Sequence, residues 1–251
     1  MPMLARVLTT EFLKLKRTLA LWMVLLAPFV VVLLHTLIGH FGAAQVIARH
    51  RDYARDLSQN VTMMWTLLLM PLFITLETSL LAGLEHADKN WKNLLALPSP
   101  RWTVYFSKLL VAASLLWLAH LVLIAGTIVA GHFLMWEKPG LLPNGLPLRP
   151  IIVPMAKVSV GVLLALTIQH WVSLRWQSFT AAFGFGMMAM VLGFVAVNSG
   201  EWGPRVPWSM PLHLVRAGGQ EAWTMLLTSF AVAAIVAAVG CWEFSRRDVT
   251  N

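Results

Sequence analysis

Six apolar runs, separated by short polar or Pro/Gly-rich connections, constrain this chain more than any other feature of it. They cover roughly Leu19–Ile38, Val61–Leu84, Leu109–Phe133, Ile151–Val172, Phe179–Val197 and Trp223–Trp242. An α-helix rises 1.5 Å per residue, so about twenty residues cross a hydrocarbon layer of ~30 Å. Backbone at that depth has no water to bond, and a helix satisfies it internally. Each run is therefore expected to be a membrane-spanning helix, which makes the fold class an all-α membrane protein of about six spans. Composition agrees. The chain is 58% hydrophobic and 12% charged, against about 45–50% and 25% for a soluble domain. Little is left over for a soluble unit, so residues 1–251 read as a single transmembrane domain. The fourth run is the least regular: Pro154 and Lys157 stand near its start, and that lysine is expected to snorkel to the interface.

Residues 2–17 precede the first run. Leu4, Val7, Leu8, Phe12 and Leu15 recur at spacings of three and four, with Arg6, Lys14, Lys16 and Arg17 largely off that face. This pattern predicts an amphipathic helix lying in the headgroup plane, the alternative being a cytoplasmic extension of the first span. The run after it is too long for a secretory signal and lacks a small-residue cleavage site, so it is expected to be a retained span. With the N-terminus inside, eleven lysines and arginines fall on inner segments and eight on outer ones. The bias is modest, but it is firm around the first span, and an even number of spans then puts both termini in the cytoplasm. The net charge of +8 sits at the ends of apolar runs. That suits anionic lipid headgroups and argues against nucleic acid as a partner. Cys241 is the single cysteine and leaves no intrachain disulfide.

No catalytic constellation is present. There is no G-x-x-x-x-G-K-[ST], no G-x-S-x-G and no H-E-x-x-H, and Gly184 and Gly186 lack the third glycine of a dinucleotide loop. His35, His120 and His170 lie in different runs, give no metal-ligand spacing, and are expected to bond between helices. Glu77 is the one acid deep in a run, which makes it the intramembrane polar candidate. It serves either as a translocation-path or gating residue, or as a structural acid with a partner. Ala182 and Gly186, Ala189 and Gly193, and Ala233 and Ala237 are each four apart, as in close helix packing. Trp22, Trp136, Trp171, Trp202, Trp208 and Trp242 are expected to be interfacial anchors. A membrane-embedded lipid- or peptide-modifying enzyme would need several polar groups at matched depth; it and a non-transporting scaffold are the alternatives left by the residues alone.

The most informative connection is Glu85–Lys108, EHADKNWKNLLALPSPRWTVYFSK. Mixed charge is followed by an apolar patch at Trp91, Leu94, Leu95 and Leu97, then by Pro98 and Pro100, which end any helix. Read physically, it is either a rigid knob offered to a cytoplasmic partner or an ordinary interfacial loop. This segment, with Thr10–Thr18 (TEFLKLKRT), Gln169–Phe179 (QHWVSLRWQSF) and Pro207–Pro211 (PWSMP), resembles the ABC-2 type permeases. The likeness is greatest to the subunits of lantibiotic- and bacitracin-immunity exporters, and it covers nearly the whole chain. The resemblance implies a permease of an ATP-driven exporter in a bacterial inner membrane, conferring antibiotic resistance by moving an amphipathic peptide or antibiotic. It implies a second permease, of the same or a homologous chain, and cytoplasmic ATPase subunits that bind the ATP and Mg. The permease itself then has no cofactor, no metal and no catalytic residue. It also implies that residues 85–108 form the coupling segment, with Asn90, Trp91, Lys92, Leu94, Leu95 and Arg101 at or beside the ATPase, and that the N-terminal helix is a second contact.

Overall fold

A computed structural model describes residues 3–16, 18–48, 53–87 and 100–246. Among these the chain is helical throughout its long elements. The first helix, α1 (Met3–Lys14), is followed by a turn in which Thr18 bonds the Leu15 carbonyl through both its amide, at 3.0 Å, and its hydroxyl, at 2.8 Å. Then come α2 (Leu19–Ala48), α3 (Tyr53–Met64), a π-helical turn at Trp65–Leu69, and α4 (Met70–Ala87). These are followed by α5 (Arg101–Glu137), α6 (Arg149–Gly161), α7 (Leu163–Arg175), α8 (Phe179–Ala196), α9 (Met210–Arg216) and α10 (Gly219–Arg246).

Five stretches are long and apolar enough to cross a membrane: α2, α3 through α4, α5, α8 and α10. The pair α6 and α7 makes a sixth if it counts as one span, bent by 42°. The protein is thus an all-α, multi-pass membrane protein. The apolar runs mark the spans, but the helices outrun them: α5 reaches 37 residues and α2 reaches 30. A helix does not stop where hydrocarbon does, so hydropathy underestimates its length.

The bend in the sixth candidate has a local cause. Val162 sits between α6 and α7 with ψ near −15°, off the helical value. The Gly161 carbonyl there accepts a bond of 3.0 Å from the buried Ser229 hydroxyl of α10. A neighbouring span thus satisfies the backbone that the bend frees. Lys157 finds partners within the chain. Its ammonium donates to the Ala217 and Leu214 carbonyls, at 2.7 and 3.3 Å, at the C-terminal end of α9. There a cation meets unpaired carbonyls at the negative end of a helix.

α5 runs through the centre, buried along its length against α1, α2, α4, α6, α7 and α10. α8 packs on α4 and buries only Ala182, Gly186, Ala189 and Gly193. These are the small residues singled out by spacing, and they form an intrachain seam. A Cβ on Gly186 would overlap the Thr75 side chain, and one on Gly193 would touch Trp208. Trp208 is therefore no interfacial anchor. It is 7% exposed and meets the Phe185 ring edge-on at 6.1 Å. Trp22, Trp136, Trp202 and Trp242 are exposed.

A buried four-charge cluster at the root of the connection

The sequence puts Leu4, Val7, Leu8, Phe12 and Leu15 on the apolar face of α1. Its fully buried residue is instead an acid, Glu11, whereas Phe12 is 40% exposed. Leu4, Leu8, Glu11 and Leu15 are spaced four, three and four, one straight line along a helix, so Glu11 occupies a core position in an otherwise apolar line. What it meets explains this. Lys108 of α5 donates to Glu11 Oε2 at 2.6 Å and to Glu85 Oε1 at 3.0 Å. Lys14 donates to Glu11 Oε1 at 2.8 Å and to Glu85 Oε1 at 2.6 Å. Two acids and two bases therefore close a ring of four ion pairs with no net charge. Lys108, Glu85 and Glu11 are 1%, 3% and 4% exposed, and Lys14 forms the open side.

At such burial an unpaired charge would be costly, whereas a fully bonded ring is tolerated. Lys14 shows the balance. Desolvation pulls its pKa down, but its hydrogen bonds to Glu11 and Glu85, together with their charges, prevail and leave it above the usual 10.5. The ring joins α1, the last turns of α4 and the first turns of α5. Glu85 and Lys108 are the two ends of the connection that sequence reading picked out, so the cluster clamps the base of that segment to the N-terminal helix. Sequence alone gave no sign that these ends pair, because Glu11 and Lys108 are 97 residues apart. The one available signal was the acid in the apolar line of α1.

Asn90, Trp91, Lys92, Leu94 and Leu95 lie outside the described residues. Arg101 begins α5 and donates to the Ser245 carbonyl of α10 at 3.0 Å. Beside it, Thr103 closes the first turn of α5, its hydroxyl and amide on the Pro100 carbonyl at 2.6 and 3.0 Å. At this same end of the bundle Trp171 Nε1 donates to Glu243 at 2.9 Å, and Arg175 pairs with Glu243, tying α7 to α10. Ser178 then caps α8 by accepting from the Ala181 amide at 3.3 Å. The Gln169–Phe179 stretch is therefore the hinge between two spans. One layer inward, Tyr105 packs edge-on against His170 at 5.0 Å.

Glu77 lies in α4 with no exposed surface, and neither of its oxygens has a partner among the described residues. It is not part of the ring. Of the three histidines, His120 bonds between helices, its Nδ1 2.8 Å from the Ser159 hydroxyl of α6. His35 Nδ1 lies 2.9 Å from the Val31 carbonyl of its own helix. Among the described residues no group of three or more His, Cys, Asp or Glu side chains is placed to hold a metal ion.

The arrangement is a joint of four ion pairs between three helices. Comparison with curated proteins and with solved structures returned no match. A family model described as ABC-2 family transporter protein matches residues 7–196, a stretch that holds all four members of the ring and both ends of the connection. The chain belongs to the ABC-2 transporter family, as the membrane-spanning permease component of an ATP-binding-cassette transporter.

Proposed function

We propose that the chain is the permease of an exporter and that the four-charge ring is the joint through which its ATPase partner moves it. The observation that carries this reading is the clamp itself: Glu11 and Lys14 hold both ends of the Glu85–Lys108 connection at once. A cytoplasmic ATPase seated on Asn90, Trp91, Lys92, Leu94 and Leu95 would push on that connection. Because separating the ring strands buried charges, α1, α4 and α5 then shift as one body instead of shearing apart. Arg101 extends the joint to α10. ATP and Mg are bound and used on the separate subunit, and two permeases, identical or homologous, complete the transporter.

Residues 88–99 and the N-terminal helix face the cytoplasm of a bacterium in this reading, in line with the excess of bases on those segments. The cargo class follows from the likeness to lantibiotic- and bacitracin-immunity permeases: an amphipathic peptide or antibiotic taken from the membrane and exported. The test is to purify tagged chain from native membranes in mild detergent and identify what comes with it. A co-purifying P-loop ATPase, lost on Trp91→Asp and uncoupled from transport by Lys108→Met, is the expected result. A chain that purifies alone, or an ATPase that remains bound and coupled in both variants, overturns the assignment.

A further inference from the structure

Glu77 differs from every other buried acid here. Glu11 and Glu85 lie in the ring, each with two ammonium partners. Glu77 is eight residues before Glu85, about 12 Å along α4, is wholly buried, and has no partner on either oxygen among the described residues. The titratable groups on the helices packed against α4 make their contacts with other residues, although Nε2 of His120 and of His170 has no partner. On α2, His35 meets the Val31 carbonyl and His40 meets Glu137. On α5, Lys108 is in the ring, Arg101 meets Ser245, His120 meets Ser159 and His132 meets the Ile128 carbonyl. On α7, His170 lies against Tyr105 and Arg175 pairs with Glu243. α8 carries no titratable group. Among the described residues of these helices no cation is therefore placed to pair with a carboxylate at Glu77. An ionised carboxyl in apolar surroundings without a counter-charge is far costlier than a neutral one, which is why such groups take up a proton.

A second observation concerns the surroundings. Glu77 is not alone: among the described residues Trp65 Nε1, Thr66 Oγ1, Ser79 Oγ, His120 Nε2, Gln169 Oε1 and His170 Nε2 are also buried without a partner. Buried polar groups are normally bonded, so a run of them along α4, α5 and α7 marks an interior built for more than apolar packing. Ser79, two residues from Glu77, also lines a cavity of about 200 Å³ with Ser173, Trp176, Gln177 and Phe179.

We propose that Glu77 is a proton-binding site inside the bundle. It is a neutral carboxylic acid in the packing described here and gives up its proton when the bundle opens. The O–H bond breaks, the electron pair stays on the carboxylate, and the proton passes to water that the opened bundle admits. The site stands whatever the chain carries; only its link to a transport cycle rests on the permease reading.

Infrared spectra of the full-length chain in lipid bilayers test it. At neutral pH the wild-type protein shows the C=O stretch of a protonated carboxyl, and that band is lost in Glu77→Gln. Glu77→Met, an apolar chain of similar length, supplies the same subtraction should the glutamine variant fail to fold. A carboxyl region identical in wild type and both variants overturns the proposal. With the co-purified ATPase present, stimulation by cargo is expected to vary with pH in wild type and to lose that variation in Glu77→Gln. A band without this difference removes the link to transport. A band with no ATPase partner leaves the proton site standing and brings down the permease reading.

Discussion

α5 and α8 are both spans, yet they are held in opposite ways. α5 places Lys108 in the ring, sends Arg101 to the Ser245 carbonyl and, through Trp117 Nε1, reaches the Ser159 carbonyl of α6 at 3.2 Å. α8 has no charged residue and buries four small ones against α4 and Trp208. Between helices in lipid there is little hydrophobic drive, so association rests on polar bonds or on close steric fit. Polar bonds fix one geometry and fail abruptly. A seam of glycine and alanine is smooth and fails only when something is added to it. The helix that begins within the Glu85–Lys108 connection is held by the first kind and a peripheral span by the second.

The contrast breaks most readily at Lys108. Lys108→Met leaves Glu11 and Glu85 sharing Lys14, and a loss of about 3–5 kcal/mol is expected for stranding buried charge. Thermal unfolding of the purified chain reads this, and adding Glu11→Gln should recover part of it. Recovery of nothing would mean that the ring does not act as a unit. On α8 the damage comes from addition. Gly186→Val collides with Thr75 and is expected to cost about 1–3 kcal/mol, and Thr75→Ala should restore much of that. If Gly186→Val is neutral, the seam is looser than described. Smaller again is Ser229→Ala, which removes one hydroxyl from the Gly161 carbonyl at the bend, for about 1 kcal/mol. A change in unfolding midpoint as large as that of Lys108→Met would show that the bend, and not the ring, governs the bundle.

The smallest effect is on pH. Lys14 titrates above its usual 10.5 because of Glu11 and Glu85. A base whose pKa is raised by folding contributes fully below its unfolded value and loses that contribution as pH climbs through the folded one. Wild type should therefore lose stability above about pH 10.5 more steeply than Lys14→Met does. Equal slopes would place Lys14 outside the ring's electrostatics.

Much of the architecture was legible because lipid imposes a length and helices impose a period. The six apolar runs, the separate N-terminal helix and the small-residue seam of α8 all follow from local pattern. What was not legible is non-local or irregular. Glu11 takes its role only from contacts such as that with Lys108, 97 residues away. The π-helical turn at Trp65–Leu69 and the bend at Val162 leave no periodic trace. Lys157 has an apolar neighbourhood in sequence and finds its partners on α9, some 57–60 residues away. The connection was found, whereas the clamp beneath it was not, because the first is composition and the second is geometry.

The ring also dictates an order of assembly. Glu11 and Lys14 leave the ribosome together and can pair at once, whereas Lys108 follows Glu11 by 97 residues. At roughly 5–20 residues per second, the N-terminal helix waits on the order of five to twenty seconds for its last partner. Once Glu85 is made, and until Lys108 follows, the nascent chain holds two acids to one base at this spot, and the seat of α1 is incomplete. α1 is thus made well before its seat is complete, and a chain cut short before Lys108 would lack the residue that locks it.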